Sequence, residues 1–403
     1  MVFIYPEEMW STGIRVFNRK SVLRASQLRY LARLSVKYKE NPEDKMQAWQ
    51  IHSYGNLDEL KLSTVRMPVI TKPTEVLIKV EASSVNPIDV AMMKGYGAMA
   101  LNLMRKAKNV NNINSSGIEF PLIMGRDFSG VVISKGHGVG DRLKLGDKVW
   151  GVVSIEQQGC HSSHVVVDNS MVNPRPENLS YIEAASILYA GLTAWSALWW
   201  CGGLSYKTSI ATRMNRRMLV LGGSGGVGTL AIQLLKAWNM HVITTCSSDA
   251  VNVLKKLGAD VVIDYKQDDA DRKIFEEGPY DIILDCCNQG IEQAKAKGYQ
   301  HESYITLNSP LLKNLDEHGL IGGMIRNISD FCKHNLPKAE NKSTLKWAFF
   351  TPSSEGLNMI QEFVENGKLV PVVKKVYPFQ ELPKAYERVS LGHLRGKIVI
   401  DMK

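Results

Sequence analysis

The chain has 403 residues, more than one hydrophobic core normally contains, so we expect two domains. Apolar residues make up 44% of the sequence and charged residues 22%, which excludes a mostly disordered or fibrous protein. The formal net charge is +9, but nine of the basic residues and only five acidic ones fall within residues 1–45. The rest of the chain is therefore too weakly basic to indicate a nucleic-acid partner.

The N-terminal segment is rich in arginine and poor in acid. Between Met9 and Lys39 there are eight basic residues and no acidic residue, with leucines and a phenylalanine between them. This pattern is typical of a mitochondrial transit peptide, and we assign residues 1–45 as a leader. The alternative is a basic arm on a cytosolic protein, since Glu7 and Glu8 are unusual in a presequence.

One uncharged stretch is long enough to span a bilayer. It runs from Ala184 to Tyr206, but it is diluted by glycine, serine and threonine and has no basic residues close to its ends. We predict a buried inter-domain helix and not an integral membrane protein.

The first third of the chain reads as β structure. Short apolar or alternating runs lie between Pro- and Gly-rich turns, and they predict strands at 47–52, 75–80, 130–134, 148–153 and 164–168. The Asn-rich stretch from Asn109 to Gly117 predicts a surface loop.

From about residue 185 the pattern changes to alternating strands and helices. Strands are predicted at 218–221, 241–245, 261–263, 281–284 and 304–307, with helices at 229–238 and ending near Leu257. Repeated βα units predict a parallel, doubly wound sheet. After about residue 345, strands at 372–376 and 397–400 flank a helix at 381–389.

A glycine-rich turn joins the first strand of this series to its helix. Glycines at 222, 225 and 228 allow a tight turn and bring backbone N–H groups to an anion at the helix N-terminus. A lone glycine motif is weak evidence, but the strand, turn, helix and following strand together predict a dinucleotide site.

The end of the next strand indicates which dinucleotide binds. An NAD site has an acidic residue there to bind the ribose hydroxyls, whereas this chain has Cys246, Ser247 and Ser248. Small donors suit a 2′-phosphate, so we predict NADPH. Asp249 is the residue that could reverse this preference.

Several motifs together resemble the medium-chain dehydrogenase/reductase superfamily, in its zinc-free quinone-oxidoreductase branch. Besides the glycine turn they are Ala82-Ser-Ser-Val-Asn-Pro-Ile-Asp89, Phe120-Pro-Leu-Ile-Met-Gly-Arg-Asp-Phe-Ser-Gly130, Gly146-Asp-Lys-Val149, Gly191-Leu-Thr-Ala-Trp195 and Gly396-Lys-Ile-Val-Ile400. The resemblance implies an α/β fold class. A β-rich GroES-like (chaperonin-10-like) domain would span residues 46–185, completed by 346–403, and a Rossmann domain would span 186–345.

The same resemblance indicates that no metal is bound. Zinc alcohol dehydrogenases place a cysteine at the position of Asn86 and a histidine at that of Arg126, and neither Asn nor Arg is a normal zinc ligand. The six cysteines contain no C-x-x-C pair, so a thiolate zinc lobe is not expected either.

Site residues follow from the resemblance position by position. Asn86 and Tyr96 would lie near the substrate carbonyl, and Asp89 would orient them; each could equally be a structural turn residue. The cofactor-binding residues implied are Ser224, Gly225, Gly226, Val227 and Gly228 at the phosphates, Ser247 and Tyr265 at the adenosine, Leu307 and Phe350 at the nicotinamide, and His393 with Arg395 over the cofactor.

The sequence departs from that of the relatives at two places near the predicted cofactor site. Many NADPH-dependent members have a lysine where Val251 and Asn252 stand, which predicts weaker binding of the adenosine phosphate. The adjacent thiols of Cys286 and Cys287 are either buried structural residues or redox-sensitive ones.

The function implied is hydride transfer from NADPH to a quinone or enone in the mitochondrial matrix, within ubiquinone (coenzyme Q) biosynthesis. Such an enzyme would have a small-molecule substrate and partners from that pathway. One alternative is a mitochondrial enoyl-thioester reductase. Another is a non-catalytic NADPH-binding adaptor of reticulon-type membrane proteins, because the fold alone does not prove catalysis.

Overall fold

The computed structural model describes residues 44–109, 119–205, 216–335 and 343–403. The predicted transit peptide, apart from its last two residues, and the Asn-rich loop from residue 110 onward lie outside the described residues. Residues Met46–Lys403 form one unit, which is described below.

The first half of this unit is mainly β structure. Its strands are β1 Lys45–Ile51, β2 Lys61–Arg66, β3 Glu75–Val85, β4 Leu122–Ile123, β5 Asp127–Lys135, β6 Lys148–Val152, β7 His164–Asp168 and β8 Val172–Pro174. Its helices are α1 Pro87–Met93, α2 Ala98–Asn109, α3 Tyr181–Ala184 and α4 Leu188–Trp195, the last continued by a π-helical turn at Ser196–Cys201.

The second half alternates strands with helices, as the sequence predicts. The strands are β9 Arg217–Leu221, β10 His241–Cys246, β11 Val261–Asp264, β12 Tyr280–Asp285, β13 His301–Thr306, β14 Thr344–Trp347, β15 Val373–Pro378 and β16 Lys397–Asp401. The helices are α5 Gly226–Ala237, α6 Val251–Lys256, α7 Ala270–Glu276, α8 Ile291–Ala296, α9 Leu311–Asn335, α10 Ser354–Glu365 and α11 Leu382–Ser390.

Six of these strands make one parallel sheet. Their order is β11-β10-β9-β12-β13-β14, and every neighbouring pair is parallel. With β9 as the first strand this is the Rossmann order. Strands β10 and β11 are added on one side of β9, and β12 to β14 are added on the other side. In folds of this order a crevice forms at the carboxyl ends of the two central strands, here β9 and β12. The predicted α/β fold class is confirmed.

A second sheet of seven strands is mainly antiparallel. Its order is β15-β16-β3-β5-β6-β8, with β7 also paired to β3, and a smaller sheet has the order β2-β1-β4. The C-terminal strand β16 runs antiparallel to β3, with Ile398 opposite Val85. This pairing carries the residues just before β16 to the end of β3, where Asn86 lies. The domain boundaries given above stay a prediction.

The uncharged stretch from Ala184 is largely buried as far as Leu198, but Trp200 is exposed and the stretch is not one helix. It forms the end of α3, then α4 and the π-helical turn, and Leu192, Trp195 and Leu198 are fully buried there. Helix α4 packs against α5 and α10. Within the described ranges, no helix combines the length and the apolar character that crossing a bilayer requires.

Several helices were not predicted, among them α1, α2, α9 and α10. Helix α2 follows the Gly-Tyr-Gly turn, and α9 is interrupted at Gly319, whose φ is 72°. In both, apolar side chains lie on the outer face, so their periodicity does not mark a buried side of the helix.

Candidate active site

The glycine-rich turn lies at the carboxyl end of β9, in the middle of the parallel sheet. Gly222 has a φ of 78°, a conformation that suits glycine, and its N–H donates to Thr245 Oγ1 at 3.1 Å. A Cβ on Gly228 would lie 2.5 Å from Gly222 O and 2.7 Å from Gly223 Cα. The absence of that atom lets the first turn of α5 pack directly on the glycine turn.

This turn fits a pyrophosphate. The amides of Gly226, Val227 and Gly228 open a helix of twelve residues, so they have no partner within the helix and lie at its positive end. A Cβ on Gly225 would contact only Gly222 O, at 3.6 Å, so there is room beside the turn. The five predicted phosphate residues, 224 to 228, are thus brought together at one helix N-terminus.

At the end of β10, Ser247, which is predicted at the adenosine end, meets Arg395, which is predicted to lie over the cofactor. Arg395 Nη2 donates a hydrogen bond to Ser247 Oγ, and Arg395 Nε lies 3.1 Å from Asp249 Oδ2. Ser247 Oγ in turn donates to Asp249. Hydrogen bonds from Arg395 and Ser247 hold the pKa of Asp249 well below its ordinary value. Tyr265 is half-exposed beside this group, and its N–H donates to Cys246 O at 3.0 Å.

The segment from Leu391 to Gly396 closes over the glycine turn. Gly396 N donates to Ser224 O at 2.9 Å, and Gly225 and Gly396 form a parallel β-bridge. His393, with a φ of 48°, is exposed, and its carbonyl accepts from Arg395 Nη1 at 3.3 Å. The structure therefore places Arg395 and His393 on the loop that covers the turn.

Asn86 and Asp89 lie at the start of α1, directly after β3. Asn86 N donates to Asp89 Oδ2 at 2.8 Å, and Gly125 N donates to Asp89 Oδ1 at 2.9 Å. Both side chains are buried. Asp89 is therefore a positioning residue that joins the start of α1 to the segment before β5.

A buried pair of charges fixes the Asn86 amide. Lys397 Nζ donates to Asn86 Oδ1 and lies 3.7 Å from Asp127 Oδ2, while Asn86 Nδ2 donates to Asp127 Oδ1 at 3.1 Å. Asp127 also accepts from Ser84 Oγ and, at 3.3 Å, from Tyr189 N. Sequence reasoning did not select Lys397 or Asp127 as site residues.

The positions that would hold zinc carry a different network. Arg126 is almost fully buried, and its guanidinium donates to Ser154 O at 2.8 Å and to Gln157 O at 3.1 Å, while Nε lies 3.6 Å from Asp89 Oδ1. Within the part of the chain that the structure describes, no group of three His, Cys, Asp or Glu side chains could hold a metal ion.

Three aromatic residues lie between this network and the parallel sheet. Tyr96 Oη lies 3.5 Å from Ser309 O, which follows β13, so the loop after α1 contacts the carboxyl end of the sheet. The rings of Tyr189 and Phe350 stack with centroids 4.3 Å apart. Leu307 also follows β13, where its N–H lies 3.4 Å from Asp285 O.

The two phenols keep their protons at neutral pH. Burial, with a smaller effect of the Asp316 carboxylate, raises the pKa of Tyr96 above its ordinary value. Burial and the Asp89 charge raise the pKa of Tyr189 further. Both side chains are therefore protonated and able to donate a hydrogen bond, and Tyr189, whose N–H donates to Asp127, is a candidate site residue that the sequence analysis did not select.

Comparison with known proteins agrees with this geometry. Residues 72–177 match the alcohol dehydrogenase GroES-like domain, and residues 257–400 match a family described as zinc-binding dehydrogenase. The mitochondrial NAD(P)H oxidoreductase RTN4IP1 of Drosophila melanogaster is 45% identical, over 89% of this chain and 87% of its own length. The Homo sapiens protein of that name is 42% identical over 89% of each chain.

The chain belongs to the medium-chain dehydrogenase/reductase superfamily. Among solved structures, the quinone oxidoreductase from Coxiella burnetii is similar, with a TM-score of 0.68 and 28% identity over 89% of this chain and 100% of that one. The chain is accordingly an oxidoreductase with a nicotinamide cofactor, and the resemblance stated from the motifs is confirmed.

The adjacent thiols are poor nucleophiles in this member of the superfamily. Burial raises the pKa of Cys286 well above its ordinary value, and burial together with the Asp285 carboxylate raises that of Cys287 to about 12. Cys287 Sγ lies 3.6 Å from Asp285 Oδ1 and donates to it. The raised pKa of each thiol lowers the fraction of the reactive thiolate, but Cys287 is exposed and Cys286 only partly buried, so the expectation of buried structural cysteines is wrong for Cys287.

Proposed function

We propose that this protein transfers a hydride from NADPH to a quinone or enone-type acceptor in mitochondria without a metal ion. The observation that carries the proposal is that two consecutive residues, Gly396 and Lys397, link the glycine turn to Asn86 by hydrogen bonds. Gly396 bonds to the turn through Ser224 O, and the next residue, Lys397, bonds to Asn86. A nicotinamide nucleotide bound at the turn would thus lie against the loop that orders Asn86.

The preference for NADPH is supported at the end of β10. A 2′-phosphate there would meet the Ser247 hydroxyl and the Arg395 guanidinium, which already contact each other. Arginine donates paired hydrogen bonds to phosphate oxygens. The Asp249 carboxylate accepts one of the Arg395 hydrogen bonds, and its negative charge disfavours a bound 2′-phosphate. The rest of the guanidinium can still donate to the phosphate.

The chain's own groups supply positioning and oxygen stabilisation. Bound NADPH provides the hydride. The acceptor carbonyl would lie near Asn86 and the protonated phenols of Tyr96 and Tyr189, which can donate to an oxygen as negative charge develops on it. Arg126 and Asn86 stand where the zinc-dependent relatives have metal ligands, and neither side chain is a usual zinc ligand, which supports a reaction without a metal ion.

The cellular setting of the proposal comes from the relatives. The printed names of the RTN4IP1 relatives place those proteins in mitochondria, and one from Caenorhabditis elegans, 37% identical, is called reticulon-4-interacting protein 1, mitochondrial. We extend to this chain a place in mitochondria, a role in ubiquinone biosynthesis and contact with reticulon-type or pathway proteins. A purified chain that binds NADPH but oxidises none with any acceptor would favour the adaptor alternative instead.

A substrate panel tests the proposed reaction. Purified protein is mixed with NADPH and, in separate assays, a short-chain ubiquinone analogue, a cyclic enone and an enoyl thioester. We expect the quinone or the enone to give the highest kcat/KM. A higher value for the thioester would assign the protein as an enoyl-thioester reductase.

Replacing Arg395 with alanine should weaken NADPH binding by about ten- to a hundredfold, the cost of losing hydrogen bonds to a charged group. NADH binding should change by less than about threefold, because NADH has no phosphate at that position. Isothermal titration calorimetry measures both affinities. Arg272→Ala, which removes an exposed arginine on α7, is the control and should change neither. Equal losses for both nucleotides would contradict the assignment.

Replacing Asp249 with asparagine should strengthen NADPH binding, the opposite of the effect expected for Arg395→Ala. The folded protein holds Asp249 as a carboxylate, since its pKa is lowered, and that charge repels an incoming 2′-phosphate. We expect NADPH affinity to rise by about three- to tenfold with NADH affinity unchanged. A fall in NADPH affinity would show instead that Asp249 is needed to hold Arg395 in place.

A further inference from the structure

Tyr96 lies in the turn between α1 and α2, with a glycine on each side of it. Gly95 has a φ of 92° and Gly97 a φ of 76°, conformations that glycine adopts far more readily than other residues. The Tyr96 hydroxyl lies 3.5 Å from Ser309 O, a distance at the outer limit for a hydrogen bond. The position of the phenol therefore depends on what holds the turn itself.

Helix α2 has no side-chain cap from its own sequence. The helix begins at Ala98, and Leu101 N donates to Gly97 O at 2.9 Å, so Gly97 stands where Ser, Thr, Asp or Asn usually accepts from the first amides. A Cβ on Gly97 would lie 3.1 Å from Leu312 Cδ1, closer than an ordinary van der Waals contact, and the positive φ would strain it. The acceptor for these amides has to come from another part of the chain.

Asp316 of α9 supplies that acceptor. Its Oδ2 accepts from Gly97 N at 2.6 Å and its Oδ1 accepts from Met99 N at 3.0 Å. Both carboxylate oxygens are used, and hydrogen bonds to a charged acceptor are stronger than those between neutral groups. A carboxylate is also favoured at the positive end of a helix. We call this pair of hydrogen bonds, from Gly97 and Met99 to Asp316, the α2–α9 clasp.

The α2–α9 clasp joins the Tyr96 turn to the carboxyl end of the parallel sheet. Leu307, predicted to lie at the nicotinamide, follows β13 and is nine residues before Asp316. Between them, Ser309 O faces the Tyr96 hydroxyl. The Asp316 carboxylate is also close enough to the phenol to contribute, after burial, to the raised pKa of Tyr96. One short segment thus runs from the predicted cofactor position to the turn that carries Tyr96.

We propose that Asp316 is a positioning residue, which caps α2 and so holds the Gly-Tyr-Gly turn with the Tyr96 phenol directed at the acceptor carbonyl. An ionised carboxylate only accepts hydrogen bonds, so Asp316 acts through Tyr96 and does not itself stabilise the acceptor oxygen. The inference rests on the proposed function, because it concerns the acceptor side of that reaction. NADPH binding at the glycine turn does not depend on it.

The next residue of α9 provides a matched control. Glu317 is exposed, and its carboxylate lies 3.7 Å from Lys313 Nζ on the same helix. Asp316→Ala should lower kcat/KM for the quinone analogue by about ten- to a hundredfold, the usual cost of a misplaced reacting group. Glu317→Ala should change kcat/KM by less than about twofold, since exposed ion pairs contribute little. Calorimetry should give the wild-type NADPH affinity for both variants, which shows that both are folded.

A double-mutant cycle with Tyr96→Phe separates positioning from general damage. If Asp316 acts through the Tyr96 hydroxyl, adding Asp316→Ala to Tyr96→Phe should lower kcat/KM by less than about a further threefold. Losses that multiply in full would overturn the positioning role, because they would show that Asp316 affects the reaction by another route. Wild-type kcat/KM in the Asp316→Ala variant would overturn it as well.

Hydrogen exchange of the full chain tests the α2–α9 clasp without an acceptor. The amides of Gly97 and Met99 should exchange about tenfold faster or more in Asp316→Ala, while amides of β9 should exchange as in the wild type. Unchanged exchange at Gly97 and Met99 would overturn the proposal. A wild type that reduces no acceptor but shows this exchange pattern would refute the proposed function, and the α2–α9 clasp would then be a structural contact only.

Discussion

Replacing Gly228 with alanine should lower NADPH affinity by on the order of a hundredfold, because a misplaced turn loses its aligned donors. The new Cβ would lie 2.5 Å from Gly222 O and 2.7 Å from Gly223 Cα, and both are backbone atoms that cannot move away as a side chain could. Relief requires α5 to shift from the turn, which separates its N-terminal amides from the phosphate position. We also expect a loss of about 1–3 kcal/mol in the free energy of unfolding.

Calorimetry of NADPH binding and urea unfolding measure these two effects. The matched control is Gly322→Ala in α9, where the nearest atom to the new Cβ is a side-chain carbon of His318 at 3.2 Å. Alanine is the better helix former, so this control should be neutral or slightly stabilising. NADPH binding by the Gly228 variant at wild-type affinity would show that the cofactor does not bind at this turn.

Replacing Lys397 with methionine should destabilise the protein by about 3–5 kcal/mol, because it leaves the Asp127 carboxylate buried without a counter-charge. Lys397 is 5% exposed and Asp127 is fully buried. The substitution also removes the hydrogen bond that Lys397 donates to Asn86 Oδ1 and so loosens the Asn86 amide, and we expect kcat to fall by more than KM rises. Lys397 acts through Asn86 and is a positioning residue.

A double-mutant cycle distinguishes this from general damage to the core. Asp127→Asn removes the buried charge that Lys397 balances, so the double variant Lys397→Met/Asp127→Asn should be less destabilised than the sum of the single variants. Urea unfolding gives the four free energies, and steady-state kinetics give kcat and KM. Additive free energies would mean that the two side chains are not coupled.

The fold was largely predictable because its signals are local. The glycine turn is specified by contiguous residues, and the strands from β9 to β13 alternate with helices whose apolar faces are buried. Boundaries differ by a few residues; α5, for example, begins at Gly226 and not at Thr229, since glycines 226 and 228 are already helical. Because glycine has a low helix propensity, the sequence alone assigns glycines 226 and 228 to the turn and not to the helix.

The substrate side was less predictable because it is assembled by long-range pairing. Lys397 reaches Asn86 across more than three hundred residues because β16 pairs with β3, and its position in an apolar strand resembles an ordinary edge lysine. Tyr189 lies in a buried helix, where an aromatic residue is most often core. No pattern in the sequence marks either one, whereas Asn86 and Arg395 were found through motif resemblance.

Isotope transfer tests the central claim most directly. NADPH deuterated at the transferable position of the nicotinamide ring is mixed with the protein and a cyclic enone, and the product is examined by NMR. Our account predicts one deuterium on the reduced carbon of each product molecule, at a rate that falls sharply in the Gly228→Ala variant. An unlabelled product, or labelled product formed equally well by that variant, would contradict hydride transfer from a cofactor bound at the glycine turn.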